Sequence, residues 1–135
     1  DPKVAFVSHS TFGQPLTSRT KHIKNAVEIL KEKNVNFEFD GDMQPDVALN
    51  EEYKSLYPFS KIVGNANILI MPGQHSAAIS YKMIKTLGDA KVIGPLLIGL
   101  GLPIEIAPLR SSTSEILNLA SIAAYSADVI DYKIK

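Results

Sequence analysis

Short apolar runs alternate with amphipathic segments along the whole chain, and this alternation restricts the fold more than any other feature of the sequence. Val4-Ala5-Phe6-Val7 has the length of a strand and is stopped by a loop of small polar residues, Ser8 to Gly13. Thr17 or Ser18 then caps a helix whose Ile23, Ala26, Val27 and Leu30 recur at i, i+3, i+4 and i+7, with Asn34 as its stop. Val35, Phe37 and Phe39 alternate with polar residues, which predicts a half-buried strand ending in the turn Asp40-Gly41. A shorter helix follows Pro45, capped by Asp46 and running to Lys54.

The second half repeats the rhythm. Asn67 to Met71 reads as a buried strand closed by Pro72-Gly73, and a helix over Ser76 to Leu87 stops at Gly88. Gly94 to Gly99 and Ile104 to Ala107 read as two more short buried strands, and a last helix covers Thr113 to Asp128. Alternation of this kind predicts an α/β fold, a mainly parallel sheet flanked by helices. At 135 residues the chain suits a single domain, and its start at Asp1 reads as a piece cut from a longer protein.

Composition removes several function classes. Fourteen basic residues balance fourteen acidic ones, which argues against a nucleic-acid binder or an anionic-membrane binder. With no cysteine there is no disulfide scaffold, thiolate metal site or cysteine nucleophile. No apolar run approaches the roughly 18 residues of a membrane span, and no signal peptide opens the chain, so a cytoplasmic protein is expected.

Several motifs fail on inspection. Gly99-Leu100-Gly101 lacks the third glycine of a dinucleotide fingerprint, and Pro103 with a strand follows where a helix is needed. Asp40, Asp42, Gln44 and Glu51 fall at calcium-loop spacings, but Pro45 holds the glycine position and Ala48 a ligand position. His9, His22 and His75 are scattered without HExxH spacing and read as loop or surface residues. Ser8-His9-Ser10 makes no triad, since no GxSxG elbow is present.

Two loops have a physical rationale for binding. Arg110-Ser111-Ser112 precedes the last helix, and Ser112-Thr113-Ser114-Glu115 has the form of a capping box. Free N–H groups at a helix start attract anions, and an adjacent arginine adds charge. The Ser8–Gly13 loop, with Ser8, Ser10, Thr11 and Gly13 as its candidates, follows the first strand. Ligands of parallel sheets gather at the carboxyl ends of strands, so these loops together would suit a phosphorylated ligand. Read alone, Ser112 and Glu115 cap the helix and Arg110 is solvated.

Four stretches carry a family resemblance: the Ser8–Gly13 loop, Asp40-Gly41-Asp42-Met43-Gln44, Ala66 to Pro72, and Gly94 to Leu100. In this order they resemble the second half of a phosphate acetyl/butyryltransferase domain. Asp46 to Glu52 is most similar to the phosphotransacetylase-like C-terminal domain of bacterial NADP-dependent malic enzymes. The resemblance implies one lobe of the fold shared with isocitrate dehydrogenase. It further implies a parent enzyme that converts malate to pyruvate and CO2 with NADP and a divalent metal, Mg or Mn, and neither cofactor belongs to this segment.

Transferred residue by residue, the resemblance also implies lost catalysis. The family's Ser-Arg pair falls at Pro108 and Leu109, its helix arginine at Thr86 and its helix asparagine at Ala78; its aspartate becomes Glu115, and Arg110 stands one place late. Acyl and phosphoryl transfer needs cations on the developing charge. The expectation is a degenerate, non-catalytic domain that senses acetyl-CoA or a related acyl-CoA or acyl phosphate and assembles as a homo-oligomer. The rivals are an active phosphate acetyl/butyryltransferase and a pure oligomerisation module.

Overall fold

A computed structural model describes the backbone of residues 1–134 and the side chains of residues 1–129. Strand β1 (Lys3–Val7) leads through helix α1 (Ser18–Glu32) to β2 (Glu38–Met43), and two short helices follow, α2 (Pro45–Leu49) and α3 (Glu51–Lys54). Then come β3 (Ile68–Ile70), α4 (Gln74–Leu87) and α5 (Thr113–Ile134). The three strands form one sheet in the order β2-β1-β3, every pair parallel. The expected α/β class therefore holds. Chain contacts separate two compact units, Asp1–Lys82 and Met83–Lys135, and each is described by itself.

The core of the first unit follows from β1 being central. Ala5 and Val7 are buried together with Met43, Val47, Ala48, Ile62 and Ala66. Helix α1 begins as the capping residues predict: the Thr17 side chain accepts from the Thr20 N–H, and the Thr20 hydroxyl accepts from the Thr17 N–H at 2.8 Å. It buries Val27, a contribution of about 1.5–3 kcal/mol for a side chain of this kind. It ends at Asn34, whose φ of 53° is a backbone that asparagine tolerates.

Four expectations need correction. Strand β2 does not end at Asp40-Gly41; it starts at Glu38 and runs through that pair to Met43. Asp40 pairs with Ala5 and Gly41 with Phe6, and the register then slips so that Asp42 is the extra residue before Val7 meets Met43. Only glycine fits at position 41, because a Cβ there would lie 2.6 Å from the Phe6 carbonyl oxygen. A pattern of polar residues that reads as a turn is thus a strand, its polarity satisfied locally. Asp40 accepts from the N–H groups of Gly41 and Lys61 at 2.9 and 2.7 Å, and Asp42 accepts from the Ser10 hydroxyl.

The helix after Pro45 is two helices. Asn50 is extended, with φ −129° and ψ 114°, and its side chain caps α3 by accepting from the Glu52 N–H at 2.9 Å. Residues 94–99 and 104–107 pair with no strand among the described residues; the Leu97 N–H instead reaches the Glu105 carboxylate at 3.3 Å. An apolar run makes a strand only where a neighbouring edge takes its N–H and C=O groups. Finally, β3 is not a buried strand, since Ile68 and Ile70 are both exposed.

The second unit keeps its predicted cap. The Ser112 N–H donates to Glu115 at 2.8 Å and the Glu115 N–H to the Ser112 hydroxyl at 3.3 Å, closing the capping box at the start of α5. Lys85 joins the same carboxylate at 2.6 Å. No helix among the described residues is long and apolar enough to cross a membrane.

Candidate functional site

The first crossover carries the chain from β1 to β2 on one side, and β3 is added on the other. The topological switch point therefore lies between β1 and β3, where parallel sheets hold ligands beyond their carboxyl ends. A cleft of about 750 Å³ opens there, within the usual range of about 300–1,000 Å³ for small-molecule sites.

Each strand delivers part of its wall. Val7, Ser8 and His9 come from the end of β1, Pro45 follows β2, and Met71, Pro72 and Gly73 follow β3. The first turn and a half of α1 adds Arg19, His22 and Ile23, which share one helix face at i, i+3 and i+4. His75 and Ser76 enter from the start of α4, where the Ser76 hydroxyl donates to the Gly73 carbonyl at 2.8 Å. No carboxylate lines this cleft among the described residues.

A second, smaller cleft of about 290 Å³ lies on the same unit. It gathers Lys24, Lys31 and Lys61 against Glu28, Asp40 and Asp42, beside Phe12 and Phe59. Here every acid has a partner: Lys31 holds Glu28 at 2.6 Å, Lys61 donates its N–H to Asp40, and Ser10 donates to Asp42. The hydrogen bond from Lys31, with the nearby charges of Lys31, Lys61 and Lys24, holds the Glu28 carboxyl below its usual range.

The predicted site residues divide between these settings. Ser8 lines the large cleft; it is buried, and its oxygen accepts from the Ser10 N–H at 3.4 Å. Ser10 and Thr11 are buried and turned to the protein, Ser10 toward Asp42 and Thr11 toward the Gln44 N–H at 3.2 Å. Gly13 supplies the positive φ of 84° that turns the loop. Arg110, Ser111 and Ser112 belong to the second unit. Arg110 is exposed, the Ser111 N–H closes a turn on Pro108 at 3.0 Å, and Ser112 is engaged by Glu115. At the start of α5 the protein's own carboxylate thus occupies the place a bound anion would take. Hydrogen bonds from Lys85, then Ser112, lower the Glu115 carboxyl to about 2.

Along the sequence the three histidines are separate loop or surface residues. They are exposed, as expected, yet all three line the one cleft together with Arg19. The signal that was available is positional: His9 lies two residues past β1, His75 lies at the second residue of α4, and His22 sits three past Arg19 on α1. Among the described residues no three His, Cys, Asp or Glu side chains group to hold a metal ion.

With this geometry in place, comparison with known proteins adds lineage. A profile of the family described as phosphate acetyl/butaryl transferase matches residues 1–124. The NADP-dependent malic enzyme of Rhizobium meliloti (strain 1021) is 48% identical over 126 residues, which cover 93% of this chain and 17% of that enzyme. The phosphate acetyltransferase of Clostridium acetobutylicum is 36% identical over 128 residues, covering 94% of this chain and 38% of its own. A solved phosphotransacetylase from Streptococcus pyogenes superposes with a TM-score of 0.85 at 35% identity, over 94% of this chain and 39% of that one. The chain thus spans under a fifth of the malic enzyme and about two-fifths of the transacetylases.

Proposed function

The chain belongs to the phosphate acetyl/butaryl transferase family, and from that membership we propose that it is the C-terminal regulatory and assembly domain of an NADP-dependent malic enzyme, itself catalytically degenerate. What supports this reading is the chemistry at the positions the family resemblance points to. Taken without gaps from Pro103, the resemblance sets Pro108 and Leu109 at the Ser-Arg pair and Thr86 at the second arginine. None of these side chains brings a positive charge to a phosphate or to a developing oxyanion, the contribution on which such transfer chiefly depends.

The parent's decarboxylation of malate, with NADP and Mg or Mn, is placed outside these residues. What remains here is ligand sensing by population shift. Acetyl-CoA, or a related acyl phosphate, binds one conformation of the domain better and so changes the equilibrium seen by the distant site. Assembly is supported by apolar side chains left in solvent: α4 exposes Ile79, Met83, Ile84 and Leu87 and buries none of its residues. Such a patch on a chain of this kind suits a contact between copies in a cytoplasmic homo-oligomer.

The test is the activity of the full-length enzyme titrated with acetyl-CoA, alongside a transacetylase assay on the same preparation. A saturable change in malate turnover with no acetyl transfer is expected. Activity indifferent to acetyl-CoA overturns the sensing role, and robust acetyl transfer overturns the degeneracy.

A further inference from the structure

Lys54, the last residue of α3, is a buried charge without a partner. It is 7% exposed, and its ammonium donates to no group among the described residues. A buried polar group left unpaired is uncommon in a folded protein, and a buried unpaired charge is the costliest kind. The charges that act on the ammonium locate it. Glu51 opens the same short helix, and Lys3 and Glu38 are both anchored on Val63, Lys3 by donating to the carbonyl and Glu38 by accepting from the N–H at 2.7 Å. The ammonium thus lies within electrostatic reach of α3 and of the Ile62–Val63 segment, yet neither carboxylate forms an ion pair with it among the described residues. Burial outweighs them and lowers the lysine pKa.

A cavity of about 200 Å³ opens between the same two segments, and its walls include Glu51, Lys54, Tyr57, Pro58, Ser60 and Ile62. Sites for drug-sized ligands hold roughly 300–1,000 Å³, so this one suits a ligand of a few atoms. The Ser60 hydroxyl accepts from the Ile62 N–H at 3.5 Å and keeps its own hydrogen to donate. Tyr57, Pro58 and Ile62 add apolar surface.

We propose that this cavity binds a small aliphatic monocarboxylate, its oxygens held by the Lys54 ammonium and the Ser60 hydroxyl and its alkyl end against Tyr57, Pro58 and Ile62. An ammonium–carboxylate bond is charge-assisted, about twice as strong as a neutral one. The lysine stem is flexible, so a small rotation brings the ammonium to the wall that the same residue lines. One negative charge answers one unpaired positive charge. A dianion would in addition meet Glu51, which disfavours phosphate here. The unpaired cation costs stability in the empty site, and a bound carboxylate returns it by mass action. No residue of this cavity lines the large cleft at the carboxyl ends of the strands, so its binding and acetyl-CoA regulation fail independently.

The experiment is calorimetric titration of the whole 135-residue chain with formate, acetate and propionate, and with inorganic phosphate, at constant ionic strength in chloride. The variants are Lys54→Met, Ser60→Ala and, as an exposed lysine of the smaller cleft, Lys24→Ala. Thermal melts without ligand show that each folds, and Ser60→Ala carries the test if Lys54→Met does not. Saturable acetate binding is expected, weakened at least about tenfold by Lys54→Met, severalfold by Ser60→Ala and not at all by Lys24→Ala. Acetate should raise the melting temperature of the wild type and leave that of Lys54→Met where it was. Propionate is expected to bind more tightly than formate, and an equal or reversed order overturns the apolar end of the site. The proposal as a whole is overturned by absence of saturable binding of all three carboxylates, or by phosphate binding as tightly as acetate. Acetate affinity indifferent to both Lys54→Met and Ser60→Ala, or equal losses in Lys54→Met and Lys24→Ala, overturns it as well.

Discussion

The two clefts of the first unit treat charge in opposite ways. The smaller one sets Lys24, Lys31 and Lys61 against Glu28, Asp40 and Asp42, and its acids are bonded to the protein that surrounds them. The larger one collects Arg19 and three histidines with no carboxylate among the described residues. Groups that satisfy one another stabilise a fold and have little left to offer a ligand. Groups left unsatisfied at the carboxyl ends of parallel strands contribute little to the fold and remain free for binding. A lysine count alone would have ranked the clefts the other way round.

This contrast can be broken most forcefully at Gly41, which lines the smaller cleft. Its φ of 150° and the 2.6 Å approach to the Phe6 carbonyl leave no room for a methyl group. Gly41→Ala should cost roughly 3 kcal/mol or more, read as a fall in the urea midpoint. A loss under about 1 kcal/mol would show that the sheet edge beside this cleft is not structural.

A second variant asks what an uncompensated buried cation costs. Lys54 is 7% exposed, and its ammonium finds no hydrogen-bond partner among the described residues. Burial first of all lowers its pKa from the ordinary lysine value. Lys54→Met should therefore raise stability by about 1–2 kcal/mol at neutral pH. The sign can be checked by pH. The folded state binds fewer protons than the unfolded chain, so wild-type stability rises as pH climbs toward the unfolded lysine value and the advantage of methionine shrinks. A variant less stable than wild type at pH 7 would mean that the ammonium is satisfied after all.

Glu28 supplies a smaller effect of the opposite kind. Its folded pKa is lowered by Lys31, so the stability it contributes is fully present above the ordinary glutamate value of 4.5 and is lost as pH falls through the lowered folded value. The stability gap between wild type and Glu28→Gln in urea melts should close as the solution is acidified. A gap that widens toward acid would contradict the pairing. Smallest of all, Arg19→Ala should shift stability by no more than about 0.5 kcal/mol, since Arg19 is exposed. A larger loss of stability would show that Arg19 is part of what holds the fold together.

Much of the fold is legible along the chain because its signals are local. The apolar spacing of Ile23, Ala26, Val27 and Leu30 anticipates α1, Thr17 its cap, and Asn34 its stop. Ser112 and Glu115 anticipate the start of α5 in the same way. These features depend on residues three or four apart, whose geometry a helix imposes whatever surrounds it. The family was also legible, carried by four short stretches and by Asp46 to Glu52. The site was only half legible. The Ser8–Gly13 loop lies at the carboxyl end of β1, where the larger cleft opens, but Ser10 and Thr11 are occupied within the protein, and the histidines share no spacing that would mark them as neighbours.

By itself, then, the sequence determined the α/β alternation, the helices with their caps and the family resemblance, because each is written in residue type or short-range period. Tertiary structure alone decided that Asp40-Gly41-Asp42 continues a strand, that residues 94–99 and 104–107 pair with none among the described residues, and that His9, His22 and His75 line one cleft with Arg19. The physical reason is common to all three. A strand exists only against a partner edge and a binding cleft only where separate loops converge, and both depend on contacts between residues tens of positions apart, for which no local period exists.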